Sequence, residues 1–250
     1  MRKTVLIFLT GLSLIGCGAS KNLVPASKMT MLTTIDLVDV VDDRVKVSID
    51  PGAFTSDKVS FFIPKTVPGT YSEDNYGKYI QNFRAIDYKG NELSVSKSDD
   101  NTWDITNGKN LDRVTYEVND TYDTEGEVAE AVFSPAGTNI LKGENFMLNL
   151  HGFIGYFDGL KEVPYQITIS TPSDLSATTS LAKKVTKAGV DIFEASRYFE
   201  VIDNPILYTK SSAESFEING ITVNLVLYSP NQIYKATDLK DRMQKMMDAQ

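Results

Sequence analysis

A single histidine, His151, and a single cysteine, Cys17, stand in 250 residues. One histidine excludes HExxH and every metal site built on two histidines. One cysteine excludes an internal disulfide. The remaining all-protein option for a metal is a cluster of carboxylates. A phosphate loop, a GxGxxG fingerprint and a CxxC pair are all absent. No stretch gathers Lys and Arg into a basic stripe, and the formal charge is −8. Such a chain does not suit a phosphate backbone, so nucleic acid is excluded as a partner. His151 has no serine or cysteine partner at a suggestive spacing and reads as a structural histidine. With 33 acidic residues and no spacing signature, no carboxylate pair is singled out for acid–base work. The segment 120–130 gathers Asp120, Asp123, Glu125, Glu127 and Glu130. It lacks the EF-hand spacing and reads as a solvated loop, so calcium is not assigned.

Long hydrophobic runs are equally scarce. The one that exists, residues 5–15, follows Arg2 and Lys3 and is too short to span a bilayer as a stable anchor. It ends in Leu14-Ile15-Gly16-Cys17, which resembles a bacterial lipoprotein signal. The resemblance implies cleavage of residues 1–16, lipidation of the Cys17 thiol and a membrane anchor on an extracytoplasmic protein of the cell envelope. Residues 17–30 are small and polar and read as a tether.

What is present from residue 31 onward is period-two alternation. Ile35 and Leu37, then Val45, Val47 and Ile49, alternate with polar neighbours, and Arg44–Asp50 is the clearest strand. In residues 61–71, FFIPKTVPGTY, an apolar run stops at Pro64, and Pro68-Gly69 supplies a turn with positive φ at the glycine. Residues 80–88 and 93–97 read as a hairpin about Lys89-Gly90-Asn91, and residues 173–190 as an exposed hairpin. Residues 113–118 and 165–170 are strands of high β-propensity. A last hairpin covers residues 216–228. Beyond Ser229-Pro230 the period changes, and Ile233, Ala236, Leu239, Met243 and Met246 or Met247 fall at helical spacing as a packing stripe, with Asn231 or Thr237 as the cap. With 42% apolar residues the chain has enough to bury a core. About a dozen short strands with frequent turn signals predict a mainly β antiparallel sandwich over 31–230, with a short C-terminal helix at 231–250.

Five short motifs in order carry a family resemblance. They are Pro68-Gly69-Thr70-Tyr71, then Ala85-Ile86-Asp87-Tyr88-Lys89-Gly90, then Thr102-Trp103-Asp104-Ile105, then Val114-Thr115-Tyr116-Glu117-Val118, and a Phe-rich strand leading to Asp203-Asn204-Pro205. Over about residues 31–230 the series resembles the N-terminal domain of the glycyl aminopeptidase family, the PDZ-containing zinc metallopeptidases of family sixty-one. The resemblance implies a β-sandwich standing before a thermolysin-like catalytic domain and a PDZ domain. Zinc would belong to that catalytic domain, since HExxH is missing here and no catalytic residue carries over. On this reading the chain is not an enzyme by itself, and residues 231–250 open a catalytic domain absent from this sequence. The sandwich would form one wall of a peptide cleft, with Glu130 and Tyr71 as the wall residues and Glu130 placed to pair with a peptide's free ammonium. The competing reading is a free-standing surface lipoprotein that binds peptide or carbohydrate through an aromatic rim of Tyr71, Tyr76, Tyr79, Phe153, Tyr156 and Phe157.

Overall fold

The computed structural model describes residues 29–122, 132–187, 189–210 and 212–249. The strands are β1 (Met31–Val41), β2 (Arg44–Asp50), β3 (Lys58–Phe62), β4 (Ile80–Asp87), β5 (Val95–Asp99), β6 (Thr102–Thr106), β7 (Leu111–Asn119), β8 (Asn139–Leu141), β9 (Asn145–Leu148), β10 (Tyr156–Phe157), β11 (Tyr165–Ser170), β12 (Ser176–Thr178), β13 (Ala182–Lys187), β14 (Val190–Ala195), β15 (Ile206–Thr209), β16 (Ser212–Ile218) and β17 (Ile221–Leu227). Two helices accompany them, α1 (Tyr198–Asp203) and α2 (Ala236–Asp248). The protein is mainly β, as the alternation predicts. Among the described residues no helix is long and apolar enough to cross a membrane.

The largest sheet runs β13-β14-β11-β1-β2-β7-β4. Alternation along its strands sends every second side chain to one face. Ile35, Val45, Val47, Ile49, Val114, Tyr116, Ile167, Ile169 and Phe193 are all buried on it. Its pairing is antiparallel except between β1 and β11, which run parallel with Ile35 opposite Ile169. Two four-stranded sheets, β10-β3-β6-β5 and β12-β15-β9-β8, complete the body, and β16 and β17 form a two-stranded sheet.

The centre of the body is aromatic. Phe61 of β3 is fully buried, with ring centroids 5.1 Å from Phe157, 5.4 Å from Phe83 and 5.7 Å from Tyr116. Phe83 stacks on Trp103 at 4.9 Å. Tilted and edge-on ring pairs of this kind add to the stabilisation from buried area alone.

Four local expectations change. Residues 80–88 and 93–97 do not form a hairpin: β4 pairs with β7, β5 pairs with β6, and only an isolated bridge, Ile86 to Glu92, links the two segments. Register breaks between Gln81 and Arg84 and between Ile86 and Asp87 bend β4 onto the large sheet. The short turn before Thr102 then gives β5 its partner at little loop-closure cost. Residues 198–203, expected to be extended, are helical, which buries Tyr198 and Val201 three apart on one face. The exposed hairpin shifts: β13 pairs with β14, and β12 joins a different sheet, beside β15. At α2 the N-terminus is closed by Asp238, whose carboxylate accepts the Lys235 N–H at 2.9 Å, whereas Asn231 accepts from Ile233. The apolar stripe is covered only in part: Ala236 is buried, Leu239, Met243 and Met247 are half-buried, and Met246 is exposed.

Candidate functional site

The loop after β3 is shaped by its prolines. β3 ends at Phe62, Ile63 N–H still donates to the Asn101 carbonyl at 3.0 Å, and Pro64 has no N–H to carry the ladder further. Thr70 N–H then donates to the Val67 carbonyl at 3.4 Å, closing a turn in which Gly69 has φ 93°. Tyr71 follows at φ 57° with its ring fully exposed. A non-glycine residue in that region carries strain on the order of 1 kcal/mol.

From there the loop turns inward to Asp74. This buried carboxylate accepts the Ser72 hydroxyl at 2.7 Å, the Tyr76 hydroxyl at 2.8 Å and the Phe133 N–H at 3.3 Å. The Tyr76 ring meets His151 edge-on at 4.4 Å. His151 Nε2 lies 3.1 Å from the Ala136 carbonyl, and Asn149 Nδ2 donates to the Gly137 carbonyl at 2.6 Å. Residues 64–79, 132–138 and 149–153 are thereby tied together at one end of the body. Tyr198 at the start of α1 joins them, its hydroxyl donating to the Ile154 carbonyl at 2.7 Å. A hollow of about 110 Å³ opens between these segments, lined by Val67, Pro68, Pro135, Asn149, His151 and Phe199. The exposed rings of Tyr71, Tyr122, Phe133 and Phe199 sit on these segments or beside them.

Burial holds the His151 imidazole below its ordinary value, against the opposing pull of the Ala136 and Ile202 carbonyls and the Asp74 charge. The unfolded chain therefore takes up a proton at His151 first as pH falls. Stability from the neutral ring is complete above the unfolded value, about 6.5, and drains away as pH falls through the window below it. Urea midpoints of the wild type and His151→Gln should therefore converge between pH 7.5 and pH 5.5. A gap that stays constant would show that His151 stays protonated or neutral alike in both states.

Burial also pushes the Tyr76 phenol well above its ordinary value, with the Asp74 hydrogen bond as the second cause. Tyr76 is thus a neutral donor at any working pH, and the pair positions the loop rather than moving protons.

Of the residues singled out from sequence, Tyr71 is the one this end presents. Cys17 and Glu130 lie outside the described residues, as does 123–131 of the acidic segment. The aromatic rim is corrected: Tyr76, Tyr79, Phe153 and Phe157 are buried, and Tyr156 is half-buried against Phe62 at 5.3 Å with Lys161 over its ring. Phe157 of β10 packs on Phe61, while Tyr76 and Tyr79 lie on a 3-10 turn that brings Tyr76 onto His151 and both rings inside. Asp74, Phe133 and Phe199 were not found from sequence. Ser72-x-Asp74-x-Tyr76 carries no spacing signature, and the contact between Asp74 and Phe133 joins residues far apart in the chain.

The residues at this end do not fit a zinc ion. Zinc needs three protein ligands for a catalytic site. His151 turns Nε2 to a carbonyl, and among the described residues no three His, Cys, Asp or Glu converge on a metal position.

The fold has a recognisable counterpart. An aminopeptidase N family protein from Idiomarina loihiensis superposes with a TM-score of 0.68 at 22% identity, over 80% of this chain and 32% of that one. The chain thus spans about a third of the length of that structure, and the likeness is one of fold. An M1 zinc metallopeptidase from Deinococcus radiodurans, bound to a Tyr-Ser-Ala substrate, aligns with a TM-score of 0.40 at 9% identity over 82% of this chain and 50% of that one. No curated protein matches. The family model of the Peptidase M61 N-terminal domain matches residues 33–210, the stretch that holds β1 to β15 and the tied loops. This chain belongs to the Peptidase M61 N-terminal domain family.

Proposed function

We propose that this chain is the non-catalytic front part of a lipid-anchored peptidase, and that its loop-bearing end forms one wall of the peptide cleft. The observation that carries the reading is the family match over residues 33–210, in a chain whose only histidine is held by a backbone carbonyl. The wall is the end that holds the hollow and the exposed Tyr71, Phe133 and Phe199. Exposed rings over a rigid, hydrogen-bonded base suit an extended peptide, because stacking needs no particular side chain from the ligand. Glu130 lies between Tyr122 and Phe133 in the chain and is the carboxylate assigned to the peptide's free ammonium. Residues 1–16 are a lipoprotein leader, 17–30 a tether from lipidated Cys17, 31–230 the β-domain and 231–250 the opening of a catalytic part that holds zinc. The protein stands on the outer side of a bacterial membrane.

One experiment reads both halves of the proposal in a peptidase carrying this domain. Cys17→Ser should move the protein from the membrane pellet to the soluble fraction with kcat unchanged. Glu130→Gln should raise KM for free-amine peptides by about tenfold, with little change for N-blocked ones. A membrane-bound Cys17→Ser protein overturns the anchor. An unchanged KM overturns the wall.

A further inference from the structure

We propose that Asn219, at the tip of the β16–β17 hairpin, is a site of spontaneous deamidation, and that the fold protects the second Asn-Gly pair, Asn107-Gly108. The inference goes beyond the function proposed above and does not rest on it.

The chemistry is set by the dipeptide. The Gly220 backbone nitrogen attacks the Asn219 side-chain carbonyl carbon. The bond from that carbon to the side-chain nitrogen breaks, and this nitrogen leaves as ammonia with the proton that Gly220 gives up. Water then opens the five-membered imide at one of its two carbonyls, giving aspartate or the β-linked isoaspartate. A glycine after asparagine favours the attack, because no Cβ crowds the nitrogen and the glycine backbone is permissive. The chain holds two such pairs, and in both the asparagine is left-handed, with φ 58° at Asn107 and 49° at Asn219. Ring closure requires the peptide bond after the asparagine to turn until its nitrogen faces the side chain. The pair whose segment opens more readily therefore reacts faster.

The two segments differ in what opening costs. Gly108 is buried, and its N–H, on the nitrogen that would attack, already donates to the Asp57 carbonyl at 3.0 Å. A Cβ at Gly108 would fall 2.7 Å from Val59 Cγ1 and 2.9 Å from the Ser56 carbonyl oxygen, so this backbone is wedged against the start of β3. Leu111, which opens β7 just beyond it, is fully buried. Turning the bond after Asn107 lifts Gly108 off β3 and breaks a backbone hydrogen bond.

Asn219 and Gly220 are both exposed and are the two central residues of a hairpin turn that places Ile218 opposite Ile221. In such a turn the ladder bonds belong to the flanking residues, so the Gly220 nitrogen is held by no strand partner. Among the described residues a Cβ at Gly220 would meet nothing within 4 Å. Turning the bond after Asn219 therefore displaces no packed atom of these residues. The isoaspartate product inserts one methylene into a main chain whose two-residue turn sets the register. Either product also adds a negative charge two residues from Glu217, in a chain already at −8. Conversion loosens the hairpin against which α2 packs, where Lys240 pairs with Glu214.

Peptide mapping by mass spectrometry tests this on the full chain aged in warm, mildly alkaline buffer. In the folded protein Asn219 should convert about tenfold faster than Asn107, and in urea the two should convert at the same rate. Hydrogen exchange in β16 and β17 should be faster in the isoaspartyl form than in fresh protein. Asn219→Asp, which adds the charge without the methylene, should exchange as the wild type does. An Asn219 that stays intact in the folded chain while the urea-unfolded chain converts overturns the proposal. So do equal rates at the two sites in the folded chain, or a difference between them that persists in urea. Unchanged exchange in the isoaspartyl form overturns the loosening of the hairpin.

Discussion

Phe61→Ala should lower the unfolding free energy by about 4 kcal/mol, the range for a fully buried phenylalanine whose neighbours cannot close the gap. The neighbours here are rings from four different elements: Phe83 of β4, Trp103 of β6, Tyr116 of β7 and Phe157 of β10. Each is held by its own strand, so collapse into the void would require sheets to shift against one another. A loss of that size is a large share of the roughly 5–15 kcal/mol that holds a domain folded. Chemical denaturation followed by Trp103 fluorescence reads it directly. Phe61→Leu, which leaves most of the volume filled, should lose less than half as much. Equal losses for the two variants would mean that ring packing is not what holds the three sheets together.

Gly77→Ala is the second large effect, with about 2–4 kcal/mol expected from overpacking and a displaced hydrogen bond. An added Cβ would fall inside contact distance of the Asp100 carbonyl oxygen and 2.8 Å from Asn101 Cα. Backbone lies on that side, so no side chain can swing away. The same approach lets Gly77 N–H donate to Asn101 Oδ1 at 3.0 Å, while Asn101 Nδ2 reaches Asn75 Oδ1 at 2.8 Å. The substitution pushes the Tyr76 turn off the turn between β5 and β6, and with it the partner of Asp74. Hydrogen exchange should therefore show residues 64–79 opening well below the temperature at which the sandwich melts. If the two transitions stay coincident, the loop is not seated by this contact.

Much of the body was legible before any coordinates. In β2 and over Val114–Val118 of β7 every second residue is apolar because one face of the sheet is buried, and a period of two survives any change in the partners. The turn at Pro68-Gly69 was legible for a local reason, since proline and glycine set φ wherever they stand. The β4 and β5 partners were not legible. Alternation marks a strand but not its neighbour, and the register breaks in β4 arise only when it is fitted to β7. The aromatic rim failed for a related reason. A tyrosine beside a turn reads as exposed, yet Tyr76 and Tyr79 lie on a 3-10 turn that rotates them inward onto His151 and the core.

The candidate end of the molecule was less legible than the fold. Pro68, Gly69 and Tyr71 drew attention by composition alone. Asp74 did not, because its meaning comes from the Phe133 N–H, and Phe199 did not, because its segment became a helix.

The sequence by itself determined most of the strands, the acidic charge, the lack of a histidine pair for zinc and the family, because composition and period are properties of the chain taken locally. Only the tertiary structure decided which aromatic rings are core and where Asp74 finds its donors. Those depend on contacts between residues distant in sequence, and the free energy of such contacts exists only once the sheets have packed.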